Sequence, residues 1–190
     1  MKVLMIAGPS SNSGKTTLAS NLLKILPGKW AAIKWSHVKK ENSHWIPSSC
    51  EFGILDSPEI ICVPGKDTEQ LYQAGASPVF WVIGSEKDYL EIWREVQHRC
   101  LLNKVDGVII EGYSCAKVIP QKFLIFTINL EVPRQRWKKD YPALLNQAHY
   151  LHLFPREKEA EFSSHAHLPR LYWEEPDSIP SLLSALSLSS

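Results

Sequence analysis

Gly8-Pro-Ser-Ser-Asn-Ser-Gly14-Lys15-Thr16-Thr17 decides the reading of this chain. It follows an apolar run of strand length, Lys2–Ala7. It opens a segment, Lys15–Leu26, whose leucines at 18, 22, 23 and 26 recur at helical spacing until Pro27-Gly28 stops them. A glycine- and serine-rich turn between a strand and a helix can cradle phosphate oxygens on inward-facing backbone N–H groups, helped by the positive end of the helix. In that chemistry Gly14 lets the backbone approach closely and Lys15 bridges the β- and γ-phosphates. The Thr16 hydroxyl takes a Mg2+ position, and Thr17 reaches the α-phosphate. Ser11, Asn12 and Ser13 complete the loop, with Asn12 where a left-handed residue is often needed. In the register G-x-x-x-x-G-K-[ST] the first glycine is replaced by Pro9, and Gly8 lies one residue earlier. Either the loop is one residue longer or Pro9 forms its shoulder.

Working outward, short apolar runs alternate with helical ones. Trp30–Trp35 reads as a strand, 36–58 as irregular, Glu59–Val63 as a strand and Asp67–Gly75 as a helix. Val79–Ile83 reads as a strand and Lys87–Leu102 as a long amphipathic helix, followed by strands Val108–Ile110 and Phe123–Ile128. Pro133 suits the first turn of a helix through about Gln147, before a strand, Tyr150–Phe154. Further on, Leu171–Trp173 reads as an edge strand. Asp177–Leu188 reads as a closing helix capped by Asp177 or Ser178, and the last four residues as frayed. Such alternation predicts an α/β fold, a mainly parallel sheet with helices on both faces. Ligands of these sheets bind outside the carboxyl ends of the strands.

Several side chains fall at that edge. Asp106-Gly-Val-Ile-Ile-Glu111-Gly112-Tyr113 ends an apolar strand in a carboxylate that can orient water on Mg2+, activate a nucleophile, or merely cap the next loop. Lys34 ends the second strand with His37 three residues on, a place for a cation to meet a phosphate or a bound acid. Asp67, in Pro64-Gly65-Lys66-Asp67-Thr68, is either a helix cap or a second acid on the Mg2+ side. Asn103-Lys104-Val105-Asp106 spells the guanine-reading Asn-Lys-x-Asp pattern but precedes a strand, which puts it at the wrong edge. The sequence does not itself choose GTP over ATP. His37, His44, Cys50 and Cys62, and the group His149, His152, His165 and His167, have irregular spacings that suit core or solvated side chains better than a metal site. Lys138-Lys139-Asp140 with Arg134 and Arg136 reads as an exposed helical face.

Composition narrows the class. The 190 residues are 44% hydrophobic and 22% charged, with net charge +1. They read as one domain, 1–190, with 155–190 as a C-terminal extension. The near-neutral balance argues against a nucleic-acid-coating surface. No run approaches the roughly 18 apolar residues of a membrane span. The apolar start is too short for a signal peptide. Four cysteines, at 50, 62, 100 and 115, lack paired spacing and read as free thiols of a cytoplasmic protein.

The Ser-Asn-Ser-Gly-Lys-Thr-Thr-Leu loop, Ile33-Lys34-x-x-His37, Gly65-Lys66-Asp67-Thr68 with Ala74-Gly75-Ala76, and Val108-Ile-Ile-Glu111-Gly112-Tyr113 occur in one order. In that order they resemble MobB, the molybdopterin-guanine dinucleotide biosynthesis adaptor family, over residues 1–130. The resemblance implies a dimeric P-loop NTPase that binds Mg2+ and GTP, hydrolyses it slowly, and assists a molybdenum-cofactor nucleotidyltransferase. It implies nucleotide contacts from Ser11 to Thr17 and from Lys34 and His37. Lys15, Glu111 and Asp67 would serve catalysis, and Thr16, Asp67 and Glu111 the metal. The longer loop is similar to that of dethiobiotin synthetase and cobyrinate amidotransferase. That likeness implies the alternative of an ATP-dependent ligase activating a small carboxylate or carbamate. A small-molecule kinase is a third reading.

Overall fold

A computed structural model of the chain describes residues 1–120, 122–165, 167–172, 174–175 and 178–188. Its first strand, β1 (Lys2–Ala7), is apolar throughout and runs into the glycine-bounded loop. Helix α1 (Lys15–Ile25) follows, with Leu18, Ala19, Leu22 and Leu23 buried. Then come β2 (Trp30–His37), β3 (Gly53–Leu55), α2 (Pro58–Ile61), α3 (Asp67–Gln73), β4 (Val79–Gly84) and α4 (Tyr89–Leu102). The chain continues through β5 (Gly107–Glu111), β6 (Phe123–Asn129), α5 (Tyr141–Leu145), β7 (Tyr150–Phe154) and α6 (Ser178–Leu188).

The seven strands form one sheet in the order β3-β4-β2-β5-β1-β6-β7, parallel except for β3 on β4. Side chains alternate between its two faces. Leu4, Ile6, Ala32, Ile109 and Ile125 pack with Leu18 and Leu22 of α1, Leu71 of α3 and Leu182 of α6. Met5, Ile33, Trp35, Val108, Ile110 and Phe126 pack on the other face with Ile92, Val96 and Cys100 of α4. Helices therefore cover both faces, as the alternation predicts. Buried from both sides, the strands read as unbroken apolar runs.

Four expectations need correction. Glu59–Val63 is not a strand; Pro58–Ile61 is a helical turn whose proline sits in its first turn, where a missing N–H costs nothing. A short apolar run has no period long enough to tell the two apart. Residues 36–58 are not wholly irregular, since they carry a 3-10 turn, Ser43–Trp45, and the edge strand β3. The expected helix from Pro133 to Gln147 is broken into a 3-10 turn, Arg134–Arg136, and α5. Pro142 cannot sit inside an unbroken helix, so it restarts one from the first turn. Leu171 is not in a strand: the segment meets β7 through one isolated bridge, Arg170 to Leu151. Trp173, Asp177, Ser189 and Ser190, parts of the expected strand, cap and frayed end, lie outside the described residues.

Candidate functional site

The loop after β1 folds back on itself. A Cβ on Gly8 would meet Ser13 Oγ at 2.2 Å and the Thr127 carbonyl at 2.6 Å, so Gly8 occupies the tight position. The loop is thus one residue longer than the usual register. Asn12 (φ 62°) and Gly14 (φ 79°) are left-handed, and Gly14 caps α1 beneath the Phe154 ring. Lys15 Nζ donates to the Ser10 carbonyl at 2.7 Å and to Ser13 Oγ at 2.9 Å, spanning the mouth of the loop. Burial, opposed by Glu111 and helped by repulsion from Lys34 and Lys138, brings the Lys15 pKa down to about 8. Thr17 is exposed at the start of α1 and lines the same cleft.

Strand register brings distant residues to this helix end. Lys34 of β2 lies beside Glu111 of β5, and Glu111 beside Ile6 of β1. All three share the face covered by α1. There Thr16 Oγ1 lies 2.9 Å from Glu111 Oε2 and 3.0 Å from Oδ1 of Asp67, the first residue of α3. Lys34 Nζ bonds Glu111 Oε1 at 2.5 Å and also pairs with Asp67. Glu111 is only 2% exposed, against 23% for Lys34 and 42% for Asp67. Burial opposes the charge on Lys34, but Glu111 and Asp67 outweigh it and raise its pKa. Burial likewise opposes the Asp67 charge, while bonds from Lys34 and Thr16 hold its carboxyl below the usual range. One hydroxyl and two carboxylates, already gathered around a cation, are the hard oxygen donors that suit Mg2+.

His37 falls on the opposite face of β2 from Lys34. Its Nδ1 lies 3.0 Å from the Tyr89 hydroxyl of α4, so it lines the cleft but stands apart from this cluster. The cleft has a volume of about 1050 Å³ and runs from the loop past Lys34 to Lys39, Glu86, Lys117 and Lys138. Five lysines and five carboxylates line it, so it carries no net charge to draw in a bare polyanion. A metal-bound one fits better.

Asn103–Asp106 lies at the far edge of the sheet, before β5. There Asp106 Oδ2 accepts from the Lys29 N–H at 2.7 Å. Among the described residues no three His, Cys, Asp or Glu side chains gather into a metal-holding group. His149 stacks on Phe123 at 4.7 Å. His152 is buried, which takes its pKa down to about 4.

Thr127 is a supporting residue that the sequence does not mark. Thr127 Oγ1 donates to the Ser13 carbonyl at 3.0 Å and lies 2.8 Å from His152 Nδ1. A hydroxyl has one proton, so with the carbonyl taking it, neutral His152 donates through Nδ1–H. The pair anchors the loop from β6 and β7. Nothing local marks it, since both residues sit inside apolar strands.

No family model matches the chain, and no curated protein matches it in sequence. Among solved structures it is similar to HypB from Helicobacter pylori, crystallised in complex with nickel. The TM-score is 0.54 at 13% identity, covering 98% of this chain and 86% of that one. The likeness is one of fold: a mainly parallel α/β sheet with helices on both faces. No helix among the described residues is long and apolar enough to cross a membrane.

Proposed function

We propose that the chain binds a Mg2+–nucleoside triphosphate, GTP by its MobB resemblance, and hydrolyses it slowly as an adaptor. The observation that carries this is the meeting of Thr16 Oγ1, Asp67 and Glu111 within about 3 Å at the end of α1, beside Lys15. Loop N–H groups and Lys15 hold the phosphates. Thr16, Asp67 and Glu111 would hold Mg2+, which supplies charge neutralisation when bound. Glu111 orients the attacking water, and Lys34 pairs with both carboxylates and fixes them in place. Rate enhancement rests on positioning and charge. The same resemblance supports a homodimer that works in the cytoplasm through a molybdenum-cofactor nucleotidyltransferase. Its four free thiols suit that setting.

Calorimetry of GTP against ATP with Mg2+, on wild type and Lys15→Ala, tests the reading. GTP preference, lost in the variant, supports it; undiminished binding by Lys15→Ala sinks the phosphate loop. A second reading, ATP-dependent activation of a small carboxylate or carbamate, is favoured by the extent of the cleft beyond the loop. ATP preference with turnover stimulated by such an acid would select it.

A further inference from the structure

Lys138, Asp140, Ala143, Leu144 and Gln147 line one side of the cleft, and Lys138 has no place in the machinery above. The break before Pro142 frees the Lys138 N–H from a helical ladder, and it donates instead to the Pro9 carbonyl at 2.7 Å. Next to it Trp137 is buried against Tyr141 and Phe162, with its indole N–H on the Val132 carbonyl at 3.1 Å. The backbone of Lys138 is therefore fixed twice, to the core and to the start of the phosphate loop.

Its ammonium is not fixed in that way. Among the described residues it makes no ion pair; it rests 4.4 Å from the centre of the Tyr113 ring. The Tyr113 hydroxyl is turned to Asp140 at 3.0 Å. Burial, with Asp140 opposing and Lys39 and Lys34 repelling, lowers the Lys138 pKa. Lys15 is depressed in part by Lys138 in turn. These ammoniums face one cleft that an anion would relieve.

We propose that Lys138 is a nucleotide-contacting residue whose ammonium leaves the Tyr113 ring for the outermost phosphate and so tells triphosphate from diphosphate. This rests on the phosphate-loop reading above. The outer end is indicated by the loop itself. Lys138 is tied to Pro9, and Lys15, which bridges the outer two phosphates, reaches back to the adjoining Ser10. Thr17, which reaches the α-phosphate, marks the opposite, inner end. A cation on the face of a half-buried tyrosine ring holds less strongly than a charge-assisted bond to phosphate, so the exchange runs toward the ligand.

The test is calorimetry of Mg2+·GTP and Mg2+·GDP, with ATP and ADP in parallel, on wild type, Lys138→Met, Lys138→Arg and Lys15→Ala. Lys138→Met keeps the aliphatic stem over Tyr113 and removes only the charge. It should bind triphosphate about tenfold more weakly and diphosphate within about twofold of wild type, while Lys138→Arg keeps most of the discrimination. Equal losses for both ligands, or no loss, overturn the proposal, and loss of binding in Lys15→Ala then leaves the phosphate loop standing. A wild type that binds no nucleotide overturns both.

Discussion

Replacing Lys34 by methionine removes the only cation bonded to Glu111 among the described residues while keeping a side chain of similar length. Glu111, 2% exposed, would then stand beside Asp67 with no counterion in contact. Breaking a buried pair costs about 3–5 kcal/mol. The share from Asp67, whose carboxylate is 42% exposed, is screened to less than about 1 kcal/mol. We therefore expect a loss of about 3 kcal/mol. At a slope of about 2 kcal/mol per molar urea, the unfolding midpoint falls by about 1.5 M. Melting falls by roughly 6–12 °C. The pH window follows from the shifts. The raised Lys34 pKa stabilises fully below 10.5 and fades only above it, and the lowered Asp67 pKa stabilises above 3.8 and fades below it. Between those limits the contribution of these two groups to the difference between wild type and variant stays level. Millimolar Mg2+ should restore the variant more than it helps wild type, because a dication can take over the role of the ammonium. Urea curves in EDTA and in Mg2+ measure all of this. A variant as stable as wild type in EDTA, or an equal response to Mg2+, refutes the reasoning.

With its pKa near 8, Lys15 is about half neutral at pH 8, so triphosphate binding should take up roughly half a proton there and almost none near pH 6.5. Calorimetry in buffers of different ionisation heat reads this, and no uptake at pH 8 contradicts it. Glu111→Gln should cut Mg2+-dependent hydrolysis about a hundredfold and change nucleotide affinity far less; unchanged turnover reduces Glu111 to a structural cap. Thr127→Val strands the buried Ser13 carbonyl and should weaken nucleotide binding several-fold, whereas Thr127→Ser should not. Equal behaviour of the two variants removes the loop anchor.

What the sequence made legible was local. The phosphate loop is contiguous, and its flanking strand and helix carry clear periods, so β1, β7 and the start of α1 fall where expected. Glu111 was legible because a strand end in a parallel sheet has a known edge; Lys34, expected at a strand end, stands inside β2, which runs on to His37. Asp67 reads in the sequence as either cap or acid, and its bond to Thr16, across 51 residues, and its pairing with Lys34 bring it to the cluster. The segment 133–147 departs from the single helix that Pro133 suggests because a second proline, Pro142, can only restart a helix. Thr127 was invisible because its partner, Ser13, lies 114 residues away and an apolar strand gives no sign of a buried hydroxyl bond.

The cluster also argues for its own purpose. Lys34 stands in the body of β2 between Ile33 and Trp35, both nearly inaccessible, and Glu111 closes a strand whose other residues are all buried. Taking such charges out of water is costly, and a well-packed apolar trio of similar volume is often the more stable choice by about 1–4 kcal/mol. Folding alone gives no reason for two carboxylates and an ammonium to share this spot. A site that must present oxygen ligands to a dication and positive charge to phosphate does give one. Its position, at the carboxyl edge of the sheet and in bonding distance of the first helical turn after the loop, is where ligands of such sheets bind.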